Sequence, residues 1–306
     1  MNGSESYKMN LSQEPSLRHQ LERAGFRFSD FDHAFWRATN DIHTLTLYQS
    51  GKLLIQGKDV DWITRLLQNK GFALSDPNPP SPQRPGVSKW IGTDESGKGD
   101  YFGPLIIAGV LVTTETRREL LRNGVRDSKR LSTSSIKKLA PKIKALCPHS
   151  IVVVSPNEYN KAYEQLQDYG KHRRILAWGH ARAIEDILEK EPCGYAISDQ
   201  FGHERFIINA LMEKGRNISL EQRPHAEDDI AVASASILAR DEYLRRLKAL
   251  SIEYSIDLSP GASHKIIQLG REFVFRHGAA ELKEVAKIHF ITTQHILNPS
   301  SGTSNF

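Results

Sequence analysis

Ile91-Gly92-Thr93-Asp94-Glu95-Ser96-Gly97-Lys98-Gly99-Asp100-Tyr101-Phe102-Gly103-Pro104 leads directly into Leu105-Ile106-Ile107-Ala108-Gly109-Val110-Leu111-Val112. The second half is an uninterrupted apolar run, which reads as a buried strand. Two acids side by side ahead of it are costly near a buried sheet unless something neutralises them. Two unit charges about 4 Å apart repel by roughly 4 kcal/mol at an effective dielectric near 20. A divalent cation removes that cost and recruits the pair for chemistry. Regular strand geometry sends neighbouring side chains to opposite faces. The sequence therefore predicts that the strand ends and bends at Glu95, with Gly97 and Gly99 supplying the bend.

Outward from this stretch, strands and helices alternate. Ile151–Val154 and Gly194–Ser198 read as further buried strands, and Asp199 ends the second of them. Sites in open α/β sheets gather at strand ends, although a lone acid there is equally a loop residue or helix cap. Ser134–Leu146, Arg174–Glu189 and Ala231–Leu247 read as helices. Ile175, Ala181, Ile184 and Leu188 mark the buried side of the second. Small residues at the start of the third let it approach its neighbours closely. The succession predicts an α/β fold, a mixed sheet flanked by helices.

Upstream, residues 76–87 form a composition break. Five prolines between Pro77 and Pro85 cannot form a helix or a central strand. The segment reads as a semi-rigid linker. Residues 1–75 read as a small α+β module, with a helix near Ser16–Ala24 and another over Asp61–Asn69. Leu45–Tyr48 and Lys52–Gln56 form a hairpin turning at Ser50-Gly51. If Leu45, Leu47, Leu53 and Ile55 face the helices, Tyr48, Leu54 and Gln56 face outward. Such a face suits nucleic acid and equally suits an ordinary half-buried hairpin.

The chain has 306 residues, 39% hydrophobic and 25% charged, with a net charge of +5. These are ordinary values for a soluble globular protein, and the mild basicity is compatible with a polyanionic partner. Cys147 and Cys193 are the two cysteines and have no metal-binding spacing. The N-terminus lacks an apolar signal core, and no stretch approaches the ~20 apolar residues of a membrane span. A cytoplasmic protein is expected.

The stretch TDESGKGDYFGPLIIAGVLV resembles the opening motif of the type 2 ribonucleases H, most closely ribonuclease HIII. Further matches follow in order. They are Asp127-Ser128-Lys129-Arg130-Leu131-Ser132, Ser198-Asp199, His225-Ala226-Glu227, Ala235-Ser236-Ile237-Leu238-Ala239-Arg240 and Val285-Ala286-Lys287-Ile288-His289-Phe290. The likeness covers roughly residues 88–297. Ribonuclease HII enzymes usually carry arginine between the two glycines, where this chain has Lys98. The resemblance implies a ribonuclease H-like catalytic domain over 88–306, and a substrate-binding domain similar to the TATA-binding protein repeat over 1–75.

It also implies an endonuclease acting on the RNA strand of RNA/DNA hybrids and leaving 5′-phosphate and 3′-hydroxyl ends. Its acids would be Asp94, Glu95, Asp199 and Glu227, the first three holding metal. Three or four carboxylates suit Mg²⁺ or Mn²⁺, two ions during catalysis. Glu227 competes with Asp229 for the fourth place through a one-gap shift in the match, and all the acids there are equally helix-start charges. Gly97, Lys98 and Gly99 would read the 2′-hydroxyl, and Ser128 and Lys129 would also contact substrate. Gly170–Arg174 is a basic cluster at a helix start, a candidate DNA-strand contact and equally a solvated face. His203 is a candidate for proton transfer or metal release, although a histidine so placed is more often simply a neutral surface residue. A monomer is expected. The alternatives are ribonuclease HII-like cleavage at single ribonucleotides in DNA and a non-catalytic hybrid-binding protein.

Overall fold

The computed structural model describes residues 3–75, 86–166, 170–203, 205–212, 214–224 and 226–298. The first sheet is built from β1 (Gly3–Met9), β2 (Arg27–Ser29), β3 (Ala34–Thr39), β4 (His43–Tyr48), β5 (Lys52–Gly57) and β6 (Leu74–Ser75). Helix α1 (Glu14–Arg23) follows β1, and α2 (Val60–Asn69) follows β5. The strand order is β2-β3-β4-β5-β1-β6. The predicted hairpin pairs Leu45 with Ile55 and Leu47 with Leu53, and all four are fully buried. Tyr48 and Leu54 lie half-buried and Gln56 exposed on the other face. Most of the proline-rich segment, residues 76–85, lies outside the described residues.

The second sheet contains β7 (Lys89–Ser96), β8 (Leu105–Thr113), β9 (His149–Val154), β10 (Tyr195–Asp199) and β11 (Ser219–Arg223), in the order β11-β10-β7-β8-β9. Strands β7, β8 and β9 pair antiparallel, whereas β10 runs parallel to both β7 and β11. Between these strands lie α3 (Thr114–Arg122), α4 (Thr133–Leu146), α5 (Pro156–Gln165), α6 (Lys171–Leu188) and α7 (Arg205–Ala210). Helices α8 (Ile230–Glu253), α9 (His264–His277), α10 (Leu282–Val285) and α11 (Ile291–Leu297) complete the chain. Each sheet has its own core. Leu17, Trp36, Leu45 and Ile55 share the first, while the second sheet separates a core with α8 and α4 from one with α6 and α7.

Gly92 sets how closely α8 sits on β7. A Cβ built there would meet the backbone of Ala231 and Val232 at 2.2 Å, so no side chain fits. The small start of α8 makes the matching approach, as the sequence predicts. On the other face Ile175, Ala181, Ile184 and Leu188 of α6 are buried as expected.

Candidate active site

The predicted bend at Glu95 is absent. β7 continues through Ser96 and keeps regular register, with Asp94 opposite Ala108, Glu95 opposite Ile107 and Ser96 opposite Ile106. The two acids therefore obey strand alternation. Trp90 and Asp94 project to the α8 side, where Trp90 bonds the Asp229 carboxylate and the Ser236 hydroxyl favours the ionised form of Asp94. Thr93 and Glu95 project to the α6 side, where both contact His180. The turn comes after the strand. Gly97 has φ +91°, and a Cβ there would meet the Pro104 carbonyl at 2.2 Å, so only glycine closes it. Gly99 has no positive φ and open space around it, so the expectation that it helps make the bend fails. It lies with Lys98 on the exposed tip of the turn.

His180 was not singled out from the sequence. Fully buried in α6, it sits 3.2 Å from Glu95 Oε2 through Nε2 and 2.8 Å from the Thr93 hydroxyl through Nδ1. Phe201 stacks on its ring at 4.9 Å. Its sequence signal was its place on the buried stripe of α6, three residues after Ala177 and four before Ile184.

The two carboxyls have opposite electrostatics. Burial, then the charge of Glu95, holds Asp94 well above the usual carboxylate range, with a further push from Asp199. Burial alone would also raise Glu95. The bond and charge of His180, followed by those of Lys98, outweigh it and hold Glu95 low. Asp199 ends β10, and its Oδ1 accepts from the Ala226 backbone N–H at 3.2 Å. That contact brings Ala226-Glu227 beside the strand ends. His225 of the sequence motif lies outside the described residues.

The rivals for the fourth place separate cleanly. Glu227 pairs with Lys129 Nζ at 3.0 Å. Burial opposes the Lys129 charge, but Glu227, then Asp127 and Asp94, outweigh it and raise its pKa. Asp229 is buried, receives Trp90 Nε1–H and Ala231 N–H at 2.9 Å each, and caps α8. Asp228 pairs with Arg223. Asp229 thus caps α8 and anchors Trp90.

Ser128 is 3% exposed, and its hydroxyl lies 2.7 Å from that of Ser236. It stands behind Asp94 rather than on an open surface, contrary to its expected place against substrate. Lys129 is exposed. The Gly170–Arg174 cluster opens α6, with His172, Arg173 and Arg174 exposed. His203 is exposed, and its ring nitrogen accepts from Arg205 N–H at 3.3 Å.

The C-terminal motif supports the glycine turn from below. Gly103 N–H donates to Val285, Lys287 N–H donates to Tyr101, and the buried Lys287 Nζ donates to the Gly103 carbonyl at 2.7 Å. Burial pushes the Lys287 ammonium down to about 7.

Among the described residues, no three His, Cys, Asp or Glu side chains stand together as a ready metal cage. Lys98 and His180 hold Glu95, and Lys129 holds Glu227. The donor chemistry nevertheless fits a hard divalent cation. The set offers carboxylate oxygens, and Asp94 carries the electrostatic cost of Glu95 and Asp199 that such an ion would relieve.

The ribonuclease HII family model matches residues 91–293. Ribonuclease HIII of Protochlamydia amoebophila is 39% identical over 94% of this chain and 95% of its own length. Ribonuclease HIII of Chlamydia pneumoniae is 37% identical over 94% and 96%. The crystal structure of Bst-RNase HIII in complex with Mn²⁺ superposes with a TM-score of 0.65 at 26% identity, covering 97% of this chain and 99% of that one. The chain therefore belongs to the type 2 ribonuclease H family, in its ribonuclease HIII branch.

Proposed function

We propose that this ribonuclease H hydrolyses the RNA strand of RNA/DNA hybrids by two-metal-ion catalysis, leaving 5′-phosphate and 3′-hydroxyl ends. The convergence of Asp94, Asp199 and Ala226-Glu227 at the ends of β7 and β10 carries this reading. Asp94, Glu95 and Asp199 would hold the cations and Glu227 would complete the set. Mg²⁺ or Mn²⁺, when bound, supplies an activated water and neutralises the departing oxygen.

The chain's own residues do the rest. Ser236 orients Asp94, and His180 orients Glu95. The exposed tip of the Gly97-Lys98-Gly99 turn offers backbone N–H groups to a ribose 2′-hydroxyl, the group that distinguishes RNA from DNA. Lys98 and Lys129 now hold Glu95 and Glu227, and both lysines are exposed enough to turn to backbone phosphates. Residues 1–75 would form the substrate-binding domain, 76–87 the linker and 88–306 the catalytic domain.

The test is a cleavage assay with Mg²⁺ and with Mn²⁺ on three substrates: an RNA/DNA hybrid, a DNA duplex with one ribonucleotide, and double-stranded RNA. Preferred cutting of the hybrid, with 5′-phosphate ends on the products, supports the reading. Preferred cutting at the single ribonucleotide overturns it.

A further inference from the structure

The N-terminal strand β1 reads Gly-Ser-Glu-Ser-Tyr-Lys-Met and alternates so that Glu5, Tyr7 and Met9 point inward, at 2%, 4% and 3% exposure. A carboxylate at that depth requires a charged partner. The partner comes from the other sheet's half of the molecule. Arg126, in the loop between α3 and α4, places Nη2 2.8 Å from Glu5 Oε1 and donates to the Tyr7 hydroxyl at 3.0 Å. Tyr7 in turn donates to Glu5 Oε2. Burial, with the Glu5 carboxylate, pushes the Tyr7 hydroxyl up to about 12 against the Arg126 charge, so it stays a donor. These groups border a cleft of about 620 Å³ lined from both halves, with Tyr7, Thr64 and Gln68 facing Arg126 and Leu131.

Two residues beyond Arg126 begins the short turn Ser128–Arg130. Arg240 Nη1 fixes its Ser128 carbonyl at 2.7 Å. The Ser128 hydroxyl meets the Ser236 hydroxyl at 2.7 Å, and the Ser236 hydroxyl stands close enough to Asp94 to favour its ionised form. The next residue, Lys129, holds Glu227. One turn thus reaches two of the candidate acids, and its leading end is tied to β1.

We infer that Arg126 is a positioning residue that couples the N-terminal domain to the active site, holding the Ser128-Lys129 turn so that Ser236 orients Asp94 and Lys129 orients Glu227. The inference rests on the proposed role of these acids. It gives the N-terminal domain a task beyond substrate affinity: residues in β1 set the turnover of a site they do not touch.

The experiment uses the full chain and four variants: Glu5→Gln, Arg126→Gln, their double, and Ser128→Ala. Steady-state cleavage of a hybrid is measured with Mn²⁺. Calorimetry then measures Mn²⁺ affinity of the substrate-free proteins. The expected result is a kcat about tenfold lower in each single variant, with KM changed less than about threefold. The double should be no worse than the poorer single, because both members act through one network. Mn²⁺ affinity should weaken at least about threefold in all four. If Arg126→Gln does not fold, Glu5→Gln and Ser128→Ala carry the same test. A folded Glu5→Gln with kcat within twofold of the parent, or with its loss confined to KM, overturns the inference. A parent that binds Mn²⁺ but does not cut hybrids defeats the proposed function. The metal-affinity arm then still decides the coupling: unchanged affinity in the variants overturns it.

Discussion

Asp94 and Glu95 share a peptide bond, and the fold gives them opposite surroundings. On the α8 face Asp94 meets a hydroxyl, a backbone N–H and the charges of two other acids, and its carboxyl is held high. On the α6 face Glu95 meets a buried histidine and a lysine and is held low. Strand alternation separates the pair, and the helices packed on each face decide what each carboxyl encounters. A cation held by both would have to draw on carboxyls that the strand sends to opposite faces of the sheet. Each acid is expected to fail in its own way when altered.

The largest effect is expected on the α8 side. Asp94→Asn, and likewise Asp199→Asn at the neighbouring strand end, should lower kcat at least about a thousandfold, a barrier change of ~4 kcal/mol. Hybrid binding should persist, since backbone phosphate contacts dominate affinity. Gel-shift affinity and single-turnover cleavage measured on the same preparation check both statements. Cleavage within tenfold of the parent by either folded variant would remove that acid from the site.

On the α6 side the sharper probe is His180 rather than Glu95. His180→Phe keeps a ring against Phe201 and deletes the bond to Glu95. We expect kcat to fall about thirtyfold, ~2 kcal/mol, and the thermal midpoint to fall as well, because the buried Glu95 carboxyl and Thr93 hydroxyl both lose a partner. Because Lys98 still holds Glu95, the loss should be smaller than for Asp94→Asn. An equal loss would mean that the two faces do not differ as the geometry says.

The third comparison is between Glu227 and Asp229. Glu227→Gln should lower turnover at least about tenfold, near 1.4 kcal/mol. Asp229→Ala should leave turnover within about threefold but destabilise the protein by ~1 kcal/mol or more, as expected for loss of a helix cap. Kinetics at several Mn²⁺ concentrations, together with denaturant melts, separate the two. The reverse pattern would exchange their roles.

What the sequence made legible follows the same physics. Leu105–Val112 is apolar throughout because β8 is buried on both faces, so its pattern was readable without any partner. Asp94 and Asp199 stand out because one lies ahead of that run and the other ends a short apolar strand. β1 was not readable. Its inward positions include Glu5, which becomes buried only because Arg126 arrives from 121 residues away. His180 was hidden for the same reason, as was the bond from Trp90 to Asp229, although Asp229 reads as a candidate helix-start acid: their partners are remote in sequence. The expected bend at Glu95 failed because it assumed that both acids must share a face, whereas the register of β7 with β8 runs unbroken past them.

The smallest effect tests the comparison by sign. Without metal, the folded chain keeps a proton on Asp94 at pH values where the unfolded chain, near the ordinary carboxylate pKa of about 4, has lost it. Stability therefore falls as pH rises from about 4 toward neutrality. Asp94→Asn removes that titration, so the metal-free variant should melt above the parent at pH 7.5, by at least ~1 kcal/mol or about 2–4 °C. The gap should close near pH 4. Glu95 runs the other way. Its folded pKa is depressed, so its contribution is present above the ordinary carboxylate range and is lost as pH falls below it. Glu95→Gln should accordingly melt below the parent at pH 7.5, with the difference shrinking on acidification. Added Mn²⁺ should stabilise the parent and reverse the advantage of Asp94→Asn, because a ligand bound only to the folded state raises its stability. Differential scanning calorimetry in chelator, then in Mn²⁺, reads all three signs. If both metal-free variants shift in the same direction at neutral pH, the two faces of β7 do not impose opposite electrostatics on the pair.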